Sequence, residues 1–236
     1  FNRMAQQIEA LIAENRMLAS GLSHDLRTPL ACLRFGLDAA LDAPSREDKD
    51  AIILRMERDL DQMELMVSAF LDFASLAKQR EKLSMQLYTA DELLIDIQRQ
   101  AQVLSDQQHK TITFTNHAHG QRVWADKVWL SRAVLNIVTN AVRFAHLNIS
   151  ISMTLDGGYL LIEIEDDGPG IPQAQWQNIF KPFVRLEASR NRDQGNYGLG
   201  LAIAHKVTDW HQGDIRVMPA RQLAGSCFVL RFKLKN

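Results

Sequence analysis

The chain has 236 residues, 46% apolar and 23% charged, with 27 basic against 28 acidic side chains for a net charge of −1. That is enough chain for one large or two modest globular domains, and the charge lacks the basic excess of a nucleic-acid binder. Two distant cysteines, Cys32 and Cys227, form no metal or redox motif and suit reducing surroundings, while no apolar run approaches the ~20 residues that span a bilayer.

A helical pattern starts at once with Phe1, Met4 and Ile8, and no signal peptide is visible, so the chain reads as a piece of something longer. Ile8, Leu11, Leu18 and Leu22, with Asn15 in the series, continue into Leu26, Leu30, Leu33, Leu37 and Leu41, which predicts one amphipathic helix over about 4–42. Within it, Ser23-His24-Asp25-Leu26-Arg27-Thr28-Pro29-Leu30 is unusual. His24 stands roughly 200° of helical rotation from both Leu22 and Leu26, so it faces water, opposite the stripe. Asp25 adjoins it, Thr28 lies one turn on, and Pro29 is expected to bend the helix just past the histidine. An exposed imidazole beside an acid can act as a nucleophile.

Asp42-Ala43-Pro44-Ser45 breaks the helix, and Ser45 with Asp48 can cap a second one. Its predicted seam is Ile53, Met56, Leu60, Met63, Val67, Phe70, Ala74 and Ala77, an even 3-4 alternation of the coiled-coil kind. A single hairpin cannot bury two such stripes, so a dimeric four-helix bundle is expected.

The polar run Lys78-Gln79-Arg80-Glu81-Lys82 marks a domain boundary, giving a helical hairpin domain over 1–82 and a second domain over 83–236. Thr89 and Glu92 form a capping box for a helix to about Leu104. Thr111 to Thr115 and Gln121 to Trp124 read as strands, and Asp126 caps a helix running to Phe144. Leu147 to Leu155 and Tyr159 to Glu165 alternate around Asp156-Gly157-Gly158, a hairpin signal. A helix from about Gly198 to Trp210, ended by Gly213, and strands at Asp214 to Met218 and Ser226 to Leu234 complete an α+β sandwich with a mostly antiparallel sheet.

Three features of this second domain suit a nucleotide. Asp166-Asp167-Gly168-Pro169-Gly170 follows an apolar strand, where a carboxylate can accept from an exocyclic amine and glycines let the backbone approach a flat ring; alone it is equally a plain turn. Gly198-Leu199-Gly200-Leu201 leads into a helix whose unpaired N–H groups suit phosphate. Asn136, Asn140 and Arg143 share one helix face; amide oxygens are hard ligands for Mg²⁺ and a guanidinium suits phosphate. The stretch between Gly170 and Gly198, carrying Arg185, Arg190, Asn191 and Arg192, reads as a lid with Phe180 and Phe183 at its base. His117 and His119 share a strand face, with no third metal ligand evident.

Over nearly its whole length the chain resembles the sensor histidine kinases of two-component signalling, most closely the membrane-bound EnvZ-like or RstB-like receptors. His24 through Pro29 resembles the phosphoacceptor box, Asn136 to Phe144 the N box, Asp166 to Gly170 the G1 box, Phe180-Lys181-Pro182-Phe183 the F box and Gly198 to Leu201 the G2 box. Phe1-Asn2-Arg3-Met4 is similar to the end of a HAMP relay helix. Phe144 stands where a tyrosine is frequent, and Gln194-Gly195-Asn196-Tyr197 is less glycine-rich than the lid end of many relatives.

The resemblance implies an ATP-binding domain of the Bergerat type beside the hairpin domain, with ATP and Mg²⁺ as cofactors. It implies that His24 takes the γ-phosphoryl group, that Asp25 is its base or orienting group, and that Thr28 orients water for dephosphorylating a partner. Asn140 would help hold Mg²⁺, with Asn136, Arg143 and Phe144 near the phosphates, and Asp166 would bind the adenine amine. Gly168, Gly170, Gly198, Leu199, Gly200 and Leu201 would shape the pocket and lid hinges. The implied partners are a second copy of the chain and a response regulator receiver domain, with no nucleic acid, and a membrane only through a preceding part of the protein. The location implied is the cytoplasmic portion of a bacterial inner-membrane receptor. The rival classes are an ATPase of the chaperone and mismatch-repair type, which has no use for His24 on a hairpin, and a degenerate scaffold without catalysis.

Overall fold

The computed structural model describes residues 26–186 and 198–235, so His24, Asp25, the first part of the opening helix and Arg190 to Arg192 lie outside the described residues. The chain divides into two packed units, Phe1–Leu76 with Pro182–Leu199, and Ala77–Lys181 with Gly200–Asn236.

The first unit is built on a helical hairpin. Helix α1 (26–41) runs unbroken through Pro29 and is followed by α2 (Arg46–Gln79). Ser45 begins α2 as expected: its Oγ accepts the Asp48 N–H at 3.1 Å and donates to Asp48 Oδ2 at 2.6 Å.

The packed faces differ from the expected stripes. On α1 the covered positions are Leu26, Pro29, Leu33, Gly36 and Ala40, while Leu30, Leu37 and Leu41 are exposed. On α2 the covered set includes Ile52, Met56, Met63, Met66, Phe73 and Leu76, while Ile53, Leu60 and Val67 are exposed. Gly36 brings the helices close, since a β-carbon there would stand 2.8 Å from Met56 Cγ. Each helix carries two adjacent apolar stripes, and periodicity cannot tell which one the hairpin itself consumes.

In the second unit, β2 (Thr111–Asn116), β4 (Asn148–Asp156), β5 (Tyr159–Asp166), β6 (Asp214–Pro219) and β7 (Ser226–Lys233) form a sheet of order β2-β4-β5-β7-β6. Only the β2–β4 pair is parallel. Helices α3 (Ala90–Gln108), α4 (Lys127–Phe144) and α5 (Gly200–Trp210) pack in one layer. Beneath them Ile149, Ile151, Met153, Leu160, Ile162, Ile164, Leu230 and Phe232 form the buried face of the sheet.

A second sheet pairs β1 (Gln86–Thr89) with β3 (Arg122–Ala125) antiparallel, placing Leu87 opposite Trp124. Strand β1 was not expected: four residues carry no readable alternation, and the partner that organises them lies over thirty residues away.

Local signals set the boundaries elsewhere. The Thr89–Glu92 capping box is complete and opens α3, which runs to Gln108 and closes on His109 in the left-handed region. Asp126 caps α4 through Oδ1, which accepts the N–H groups of Val128 and Trp129, while Oδ2 accepts that of Ser84. Gly157 and Gly158, with φ of 53° and 84°, make the two-residue β4–β5 turn.

Helix α5 starts at Gly200, two residues later than expected, and Gly213 does not supply its left-handed cap. Gln212 does, at φ 54°. Gly213 is required for space instead, because a β-carbon there would stand 2.6 Å from the Arg231 carbonyl oxygen. His211 lies buried between these elements: its Nδ1 donates to the Val207 carbonyl at 2.7 Å and its Nε2 accepts the Asp126 N–H at 3.0 Å. These partners fix the Nδ1–H tautomer. Trp129 against Trp210, edge to face at 5.4 Å, fastens α4 to α5 nearby.

Candidate active site

Strand β5 alternates Leu160, Ile162 and Ile164 toward the helices, and Asp166 takes the next position on that face. A carboxylate therefore sits at 5% exposure where the pattern calls for a core residue. Its Oδ1 accepts the N–H of Gly168 at 2.8 Å and that of Ser226 at 3.4 Å. Among the described residues Oδ2 receives no hydrogen bond. Burial pushes the Asp166 carboxyl above the ordinary carboxylate range; the two backbone donors oppose this, and the neighbouring Asp167 and Glu165 charges add to it.

The glycines of this segment are set by close approach. A β-carbon on Gly168 would stand 2.6 Å from the Phe144 carbonyl oxygen at the end of α4. Gly170 has φ 73° and lies beside Gly225. The end of α4 and the Asp166 turn are thus in direct contact.

Asn136, Asn140, Arg143 and Phe144 are half-buried along one side of α4, with the Arg143 guanidinium 5.5 Å from the Phe144 ring centre. Asn136 meets the start of α5, where a β-carbon on Gly200 would be 3.4 Å from Asn136 Oδ1. Asn136 Nδ2 is buried without a hydrogen-bond partner among the described residues. A buried amide donor left unsatisfied beside a helix start is a natural place for an anionic oxygen. Leu201 is half-buried on the first turn of α5. Phe180 packs against His205 and Phe228, with ring centres 5.6 and 6.4 Å away.

In the first unit, the Phe183 N–H donates to the Gly198 carbonyl at 3.0 Å, with φ of 61° and 70° at the two residues. A β-carbon on Gly198 would be 2.8 Å from the Phe183 carbonyl carbon, so glycine is needed there on both counts. Leu199 is buried and Thr28 is exposed on α1.

Four residues around Asp166 make contacts that no motif announces. Asp167 accepts backbone N–H groups from His146, Leu147 and Asn148, and Glu165 accepts those of Arg221, Gln222 and Leu223. Gly225 and Ser226 flank the Asp166 carboxylate. The period-2 alternation of β5 could have flagged Asp166 as a buried acid; the other contacts join positions more than fifteen residues apart and leave no local trace. Of the remaining candidates, His119 Nδ1 lies 2.7 Å from Asp91 Oδ1, and the buried Cys227 thiol is pushed up to about 12 by burial and by Glu165 and Glu163.

Residues 14–79 match the family described as the His Kinase A (phospho-acceptor) domain, and 125–236 match the histidine kinase-, DNA gyrase B- and HSP90-like ATPases. The chain is 34% identical to the sensor protein RstB of Escherichia coli K12 over 88% of its own length. The chain belongs to the sensor histidine kinases. Sensor histidine kinase CpxA of the same organism is 31% identical over 92% of the chain. Among solved structures, Acinetobacter baumannii histidine kinase AdeS superposes with a TM-score of 0.63, at 21% identity, covering 90% of this chain and 98% of that one, a likeness of fold. The chain spans 46% of the length of RstB and of CpxA. The chain thus pairs a segment matching the phospho-acceptor family with one matching the ATPase family, and a chaperone-type ATPase does not require the first.

Proposed function

We propose that this chain is the catalytic core of an ATP-dependent protein-histidine kinase, with a dimerisation and phosphotransfer domain over 1–82 and an ATP-binding domain over 83–236. The observation that carries the reading is the Asp166 carboxylate, buried, with one oxygen held by backbone N–H groups and the other left to accept a hydrogen bond. In this reading Oδ2 accepts from the exocyclic amine of adenine, and Gly168 and Gly170 let the backbone lie against the ring. The orphaned Asn136 Nδ2 and the guanidinium of Arg143 serve the phosphates, and Phe144 lies beside them. Gly198, Leu199, Gly200 and Leu201 shape the lid hinge and the start of α5.

The residues present fit Mg²⁺ as well, since the amide oxygen of Asn140 is a hard ligand one turn from Asn136. Asn140 would help hold the cation, which would supply positive charge against the phosphate oxygens. His24 attacks the γ-phosphorus through a ring nitrogen; the N–P bond forms as the bond to the bridging oxygen breaks, and ADP leaves. Asp25 orients the ring and takes its proton.

The phosphoryl group then passes to an aspartate of a response regulator. Thr28, exposed on α1, orients water for the reverse reaction, dephosphorylation of that regulator. Exposed Leu30, Leu37, Leu41, Ile53, Leu60 and Val67 support a second copy completing a four-helix bundle. The family points to the cytoplasmic part of a bacterial inner-membrane receptor.

Incubation with γ-phosphate-labelled ATP tests the assignment. The chain becomes labelled, and His24→Gln loses the label while still binding nucleotide. Robust labelling of that variant would sink the assignment.

A further inference from the structure

We propose that Glu165 and Asp167 are positioning residues for the adenine-reading carboxylate of Asp166, each fixing one of the two segments that wall it in. This rests on the role of Asp166 given above.

The alternation of β5 turns Asp166 toward the helices and Glu165 the other way, and Asp167 directly follows the last residue of the strand. At the sheet end, Glu165 gathers N–H groups from irregular backbone, and Asp167 gathers them from the turn before β4 and from its first residue. Glu165 Oε1 accepts the Arg221 N–H at 3.1 Å, and Oε2 accepts those of Gln222 at 3.1 Å and Leu223 at 3.4 Å. Two residues further on, Gly225 donates to the Asp166 carbonyl at 3.0 Å and Ser226 donates to Asp166 Oδ1. Glu165 thereby fixes the approach of the segment that closes one side of the carboxylate.

Asp167 does the same on the other side. Its Oδ1 accepts from His146 at 2.7 Å and Leu147 at 3.0 Å, and its Oδ2 from the Asn148 N–H at 2.9 Å and Asn148 Nδ2 at 3.1 Å. Those residues begin two positions after Phe144, whose carbonyl abuts Gly168. The two oxygens of a carboxylate offer about four acceptor sites, which suits so many donors at once. Three successive carboxylates are held at one strand end, the outer two taken up mainly by backbone N–H groups and the middle one left with an oxygen that accepts no hydrogen bond among the described residues.

The test is a titration of the intact chain with Mg-ATP and with Mg-ITP, which carries an oxygen in place of the 6-amine. The native chain prefers ATP by about tenfold or more, as one charge-assisted hydrogen bond provides. In Glu165→Gln and Asp167→Asn the affinity for ATP falls toward that for ITP, while ITP binding stays within about twofold, so the preference collapses. Circular dichroism at the titration temperature shows that the variants are folded. Asn148→Ala removes one donor to Asp167 without touching either acid and lowers the preference by a smaller factor, which keeps the test sound if an acid variant does not fold. An unchanged ATP-to-ITP ratio in folded variants, or an equal loss for both nucleotides, overturns the inference. A native ratio near one overturns instead the role given to Asp166.

Discussion

Gly225 donates its N–H to the carbonyl of Asp166 at 3.0 Å and lies so close that a β-carbon on it would stand 2.6 Å from that same carbonyl oxygen, and closer still to the carboxylate. A further 2.6 Å contact would fall on the Gly168 backbone nitrogen. Backbone atoms cannot step aside as the end of a long side chain can. Gly225→Ala is therefore expected to destabilise the second unit by about 1–3 kcal/mol, as overpacking does, and to weaken nucleotide binding by displacing Asp166. Urea unfolding and a nucleotide titration measure the two effects. Native values of both would show that the segment yields freely.

Asp166 is expected to trade stability for binding. Its carboxyl is raised above its ordinary value of 3.8, chiefly by burial, so the folded state holds a proton at pH values where the unfolded chain has lost it. Stability from this group thus falls as pH climbs from 3.8 through the raised value, and stays lower above it. In Asp166→Asn the amide oxygen can still accept from Gly168 and Ser226, and no charge is buried. The variant melts higher than the native chain at pH 8, the difference narrows toward pH 4, and affinity for ATP drops by about tenfold or more. Calorimetric melts across this range check the sign; a variant that melts lower at pH 8 would refute it.

Asn140→Ala removes the amide proposed to hold Mg²⁺. Labelling by Mg-ATP is expected to slow by about tenfold or more, a loss of about 1.4 kcal/mol or more of transition-state stabilisation. Affinity for ATP measured in excess chelator changes little, because no cation is then being held. Unchanged labelling kinetics would remove the proposed role.

Thr28→Ala alters a side chain exposed on α1, so stability is expected to change by less than about 0.5 kcal/mol. Dephosphorylation of the response regulator should slow by about tenfold or more while self-labelling stays near native. Time courses of both reactions on one preparation decide the matter, and equal slowing of the two would refute the division.

Much of the fold was legible because local chemistry carries it. Ser45, Thr89 and Asp126 each place an acceptor over the first N–H groups of a helix, and Asp156-Gly157-Gly158 makes a turn that only glycine enters readily. Asp166, Asn136 and Asn140 were also visible, as residue types at telling positions. What could not be read was which of two apolar stripes each hairpin helix packs inward, because Leu30 and Leu33 are alike in type and one turn apart. Strand β1 was equally hidden, since Leu87 gains its place only by pairing with Trp124.

The sequence by itself determined the resemblance to the family, the order of most elements and the candidate residues for the chemistry, since caps, turns and motifs act within a few residues of one another. Tertiary structure alone decided how those residues are held. His211 supports the Asp126 backbone from 85 positions away, Glu165 reaches 56 residues to Arg221, and Ser226 takes one oxygen of Asp166 while the other stays open. A carboxylate is the same in any sequence; which of its lone pairs remain unspent depends on donors that only folding brings within hydrogen-bond reach.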